Sequence, residues 1–230
     1  MKKFLMIAAL VGIVLANCSK DKDSEPQITI TGLKMTDGYK IWIAGSGTAS
    51  IDWGDGSAVQ TLTLTPLTSV GAIYNEVYKV APPYTDFTNL YNLTITGNLT
   101  GFTVDNFTIT ALNLNMPTLE VLWCQNNNLA TLDVSKCIAL KELGCYTNKL
   151  TTLTLGTHAG LYRLNCSNNR LNKASLVQLF NKLPMRAPAD NAKIICGGNN
   201  ATSANPGYAE LTADDKKIAE DKNWSIANWE

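Results

Sequence analysis

Cys124, Cys145 and Cys166 fall 21 residues apart, a regular spacing of a residue that binds metals, forms disulfides and carries redox chemistry. Each reading needs something more. A metal site takes clustered ligands such as C-x-x-C, and no such cluster stands here. Neighbours in register on parallel strands lie about 4.8 Å apart with parallel Cβ vectors, a poor geometry for a disulfide. The reading that remains is a buried thiol, packed as a compact hydrophobe. Asp52 and Asp55 suggest calcium or acid–base work. However, Asp55-Gly56 reads as a hairpin turn beside which Asp52 can accept backbone N–H bonds. A calcium loop would also want more oxygen ligands at alternating positions. His158, the only histidine, sits in the loop-like GTHAG with no nucleophile motif nearby. Nothing matches H-E-x-x-H or a phosphate-cradling glycine loop. Asp214-Asp215 opens a helix and serves its dipole. Carboxylates paired across a cleft are invisible to spacing and stay open. The expectation is a protein that is not an enzyme, with no catalytic residues, no metal and no cofactor.

The cysteines belong to a repeat. LEVLWCQNNNL from Leu119, LKELGCYTNKL from Leu140 and LYRLNCSNNRL from Leu161 share the pattern L-x-x-L-x-C-x-x-N-x-L. A period of 21 with this pattern resembles leucine-rich repeats. Leu122 and Cys124, two apart, point to one face of a short strand, while Val121, Trp123 and Gln125 point to the other. Stacked turns therefore make a parallel sheet with a Leu/Cys ladder inside, and Asn127, Asn148 and Asn169 ladder along the bend to satisfy backbone groups there. One turn cannot bury its apolar face alone, so neighbours must supply the core. A degenerate first repeat begins near Leu99, and LNL at Leu112 matches LDV at Leu132 and LTL at Leu153. After Leu171 the period breaks: KASLVQLFNKLP has helical spacing, AKIIC at Ala192 reads as a last strand, and Thr212 caps a helix running to about Lys222. The ending, with LFNKLP, NPG and KNWSI, is similar to the C-terminal cap of short Bacteroidetes leucine-rich lipoproteins.

Alternation puts Trp123, Gln125, Glu142, Tyr146 and Arg163 on the outward face, the candidate ligand-binding surface. Trp123 stands beside Gly144 with a ring face uncovered, and Glu142 and Arg163 come close enough to pair. Aromatic rings beside hydrogen-bonding groups suit sugar rings or peptide side chains. Four or five short strands offer only about 300–400 Å², against about 800 Å² per partner in a standard interface. The surface therefore suits weak or multivalent adhesion. Packing of Trp123 against the N-terminal domain or a neighbouring loop is the competing reading.

Residues 27–97 are short alternating runs rich in Thr, Ile, Val and Tyr, separated by turn signals at Asp37-Gly38 and Asp55-Gly56. IDWGDGS, from Ile51, resembles the hairpin of PKD (polycystic kidney disease) domains, which implies an immunoglobulin-like antiparallel β-sandwich. At the start, Lys2 and Lys3 precede an apolar run from Phe4 to Ala16, shorter than the about 20 residues a membrane span needs. LANC, ending at Cys18, resembles the lipobox of bacterial lipoproteins, and the polar SKDKDSEP resembles the export tether of Bacteroidetes-type surface lipoproteins.

These readings combine into one expected architecture. A lipoprotein signal peptide (1–18) and a tether (19–26) precede a PKD-like β-sandwich (27–97). A short leucine-rich repeat solenoid with a parallel sheet (98–173) and a helical C-terminal cap (174–230) follow. Its expected address is the cell surface, anchored in an outer membrane through a lipid on Cys18. With 19 basic and 19 acidic residues, the chain has no field that favours nucleic acid. The expected function is binding or adhesion to a protein or glycan through the repeat face. The alternative is a non-catalytic structural spacer or a subunit of an envelope assembly.

Overall fold

The computed structural model describes residues 25–34, 41–66, 78–80, 90–198 and 204–227. The signal segment, Cys18 and the Asp37-Gly38 turn lie outside these described residues. Alternating apolar residues build five strands in the N-terminal half: β1 (Gln27–Lys34), β2 (Ile41–Asp52), β3 (Gln60–Thr63), β4 (Tyr78–Val80) and β5 (Leu90–Thr103). Six more follow: β6 (Ala111–Asn115), β7 (Val121–Trp123), β8 (Thr131–Asp133), β9 (Glu142–Gly144), β10 (Thr152–Thr154) and β11 (Arg163–Asn165). Helix α1 (Lys173–Lys182), β12 (Ala192–Ile195), α2 (Ala213–Glu220) and β13 (Trp224–Ala227) complete the chain.

The expected sandwich followed by a separate solenoid is not what these strands build. Eleven of them form one mixed sheet, ordered β13-β12-β11-β9-β7-β5-β1-β6, with β2 also on β5 and with β3 and β4 on β2. The reason lies in β5. One edge of this strand pairs antiparallel with β1, from Gln27↔Thr96 to Ile30↔Leu93, and then parallel with β7, from Gly101↔Val121 to Thr103↔Trp123. The other edge carries β2 antiparallel along nearly its whole length, from Asp52↔Thr94 to Trp42↔Thr103. A strand shared by both halves leaves no place for two separate cores. The buried side chains accordingly form one cluster that runs from Ile28 through Phe102 to Trp224. The boundary expected between residues 97 and 98 falls inside β5. Gly97, the last residue of the expected sandwich, sits at φ +138 where β2 bulges between Ser46 and Ala49. A Cβ at Gly97 would meet the Thr48 carbonyl oxygen at 2.7 Å.

Beyond β5 the 21-residue period sets the register. Leu122, Leu143 and Leu164 are neighbours on adjacent strands, and Ile194 of β12 follows them. On the opposite side of the coil, β8 and β10 pair parallel through Thr131↔Thr152 and Leu132↔Leu153. Each ladder asparagine ties one turn to the next. The Asn148 side chain donates to the carbonyls of Cys124 at 2.9 Å and Cys145 at 3.1 Å, and accepts from the Leu129 amide at 3.0 Å. Asn169 repeats this geometry on Cys145, Cys166 and Leu150. Asn205 takes the fourth place, donating to Cys166 and Cys196 and accepting from Leu171. The ladder thus runs one step past the break in the period.

Helix α1 begins at an Asn172 cap on the Ser175 amide and ends against Lys222, whose ammonium donates to the carbonyls of Phe180, Asn181 and Leu183. Next to it the Asn223 amide reaches the Arg186 carbonyl, and the Trp224 indole reaches that of Pro184. KNWSI and LFNKLP therefore act as lock and seat: the Lys222 cation satisfies carbonyls that the helix end leaves open, and the two donors after it hold the segment that follows the helix. Thr212 and Asp215 form a capping box on α2, and Lys173 bridges to Asp215 at 2.9 Å.

Candidate functional site

Strand register arranges the outward side chains in rows across the sheet. One row runs Trp42, Thr103, Trp123, Gly144, Asn165, Ile195. The next runs Ala44, Gly101, Val121, Glu142, Arg163, Lys193. Where the two rows cross β7, β9, β11 and β12, the surface sinks into a depression of about 230 Å³. Trp123, Glu142, Arg163, Asn165, Lys193 and Ile195 line it, with Leu143.

Gly144 shapes the aromatic wall. A Cβ there would lie 2.7 Å from Cε3 of Trp123, so the six-membered ring rests over the glycine and is half-buried rather than standing free. Glycine is needed here because any larger residue would lift the ring. Glu142 and Arg163 are direct register partners, yet they form no ion pair. Glu142 is 6% exposed, and its carboxylate accepts from the Tyr162 hydroxyl at 2.7 Å. Burial, then that bond to Glu142, pushes the Tyr162 hydroxyl up to about 12, so it remains a donor at any physiological pH. Among the described residues, neither Arg163 nor Lys193 has an acidic partner. Asn165 gives its side-chain oxygen to the Ser167 amide at 3.2 Å and hydroxyl at 2.8 Å.

Of the five residues singled out by alternation, the fold brings Trp123, Glu142 and Arg163 together and leaves Gln125 and Tyr146 outside the depression. Gln125 is only 1% exposed. Its side chain hydrogen-bonds Asp105, whose carboxyl is nonetheless raised by burial. Lys193 is the residue that sequence reasoning missed. Helix α1 interrupts the period before β12, but Cys196 marks the ladder slot, and counting back three positions from it gives the outward place of Lys193.

The residues with apparent chemistry are otherwise occupied. Cys124, Cys137, Cys145, Cys166 and Cys196 are free and buried, and burial pushes the Cys145 thiol well above its ordinary value. Asp52 accepts from the Gly54 amide at 2.8 Å and Asp55 from the Ser57 amide at 2.9 Å, shaping the hairpin. His158 is 2% exposed, and its Nε2 accepts from the Gly156 amide at 3.0 Å. Among the described residues, no group of three His, Cys, Asp or Glu side chains is placed to hold a metal. Comparison with protein-family models, curated proteins and solved structures finds no match to this chain.

Proposed function

We propose that this chain is a non-catalytic binding protein of the cell surface, held to an outer membrane by a lipid on Cys18. It captures a glycan or protein ligand on the outward sheet face. One observation carries the reading: a half-buried tryptophan, two cations with no ion pair among the described residues and a polar amide converge on one depression, supplied by four neighbouring strands. Binding sites have this make-up, an apolar wall with a few placed polar groups. At about 230 Å³ the depression falls short of drug-sized sites, which start at about 300 Å³. It engages one ring or side chain at a time, and strength comes from many copies on one surface.

The test is a glycan and protein array probed with the full chain. Binding that Trp123→Ala removes supports the proposal. An array with no ligand at all, on protein that melts cooperatively, leaves the chain as a spacer or assembly subunit. The anchor has its own test: a fatty-acid analogue should label the parent in cells and should not label Cys18→Ala.

A further inference from the structure

Arg163 and Lys193 sit directly opposite one another on β11 and β12. Like charges in register on adjacent strands repel, and strands of a sheet lie only about 4.8 Å apart. Among the described residues, no acidic side chain forms an ion pair with either cation. The Glu142 carboxylate next in the row sets one negative charge against the two positive ones, so the lining keeps an excess of positive charge. An anionic group seated between Arg163 and Lys193 would remove the repulsion and gain charge-assisted hydrogen bonds, bidentate from the guanidinium.

The rest of the lining indicates what carries that anion. The six-membered ring of Trp123 lies over Gly144 and offers the depression a flat apolar wall of about the size of a pyranose ring. Asn165 and Glu142 stand on β11 and β9 between that wall and the cations, with an amide and a carboxylate suited to sugar hydroxyls. An extended acidic peptide would need a long groove or an open strand edge for its backbone, whereas this depression has room for roughly one ring.

We infer that the depression recognises an acidic pyranose, a uronate unit of a glycan, with its ring against Trp123, its carboxylate between Arg163 and Lys193, and its hydroxyls on Asn165 and Glu142. The inference rests on the proposal above that the depression is the ligand site, and gives that ligand a charge and a shape. Salt weakens such binding because the cations are on the surface.

Titration calorimetry of the full chain with trisaccharides of glucuronate, galacturonate or mannuronate, with their neutral hexose counterparts, and with triglutamate tests it. At least one acidic trisaccharide is expected to bind roughly tenfold or more tighter than its neutral counterpart, in line with a charge-assisted contact. Arg163→Ala and Lys193→Ala should each cost roughly tenfold, with an unchanged melting temperature, and Arg163→Lys should cost less than Arg163→Ala. Equal binding of acidic and neutral sugars, lost in Trp123→Ala, would overturn the acidic preference while leaving a glycan site standing. Tighter binding of triglutamate than of every acidic sugar would overturn the sugar, and binding of no acidic trisaccharide would overturn the inference as a whole.

Discussion

Two side chains three positions apart show how differently buried residues hold this fold. Cys145 fills an apolar slot and makes no directional bond that alanine would strand, so Cys145→Ala should cost about 1–2 kcal/mol through a small cavity. Asn148 satisfies the carbonyls of Cys124 and Cys145 and the amide of Leu129 in one place. Asn148→Ala orphans several buried groups at about 1–3 kcal/mol each and should cost at least twice as much. Urea denaturation of the two variants checks this, and a larger loss for Cys145→Ala would show that the thiols, not the amides, secure the turns. His158 makes a pH prediction. Burial lowers its pKa below 6.5, and its Nε2 can accept from Gly156 only when neutral. The unfolded chain therefore binds the proton more readily. Stability should be full above pH 6.5 and fall as the pH drops below it towards the folded value. As the only histidine, it should account for the change in urea midpoint between about pH 7.5 and 5.5, and His158→Gln should flatten that change.

Strands β7 to β11 were legible because their side chains repeat with both a period of two and a period of 21. These fix at once which face is buried and which strand lies next, whereas β6, aligned with β8 and β10 by its LNL, pairs antiparallel with β1. The same arithmetic put Trp123, Glu142 and Arg163 on the outward face. It did not show that Tyr162, before β11, would reach back to Glu142, because a side chain's reach leaves no mark on spacing. The turn after each strand carries a further regularity: Asn126, Thr147 and Asn168 hold φ of 54, 52 and 51. Asparagine tolerates this left-handed conformation, whereas a β-branched threonine is strained in it. Thr147→Asn should therefore stabilise the protein by about 0.5–1 kcal/mol, read as a higher urea midpoint. A loss would mean that the Thr147 hydroxyl, which accepts from Asn168 at 3.0 Å, outweighs the strain.

The architecture of the whole molecule was the least legible feature. Alternation identifies a strand but not its edge partners, and the TITG that ends at Gly97 reads the same before a turn as at a bulge. Fourteen residues of β5 join what two local patterns describe as separate units. One core implies one transition: the full chain should unfold in a single step by circular dichroism and tryptophan fluorescence, and fragments 1–97 and 98–230 should each fail to fold alone. A cooperative transition in fragment 98–230 would show that the repeats need no β2 or β5. The same sheet carries the proposed function, since the depression exists only where four strands of the continuous sheet stand in register. Its most direct test is the affinity of Trp123→Ala for a ligand found on the array, measured beside its melting temperature. The proposal predicts binding weaker by about 1–3 kcal/mol with one unfolding transition close to the parent's. Unchanged affinity, with a large fall in melting temperature, would make Trp123 a packing residue and contradict it.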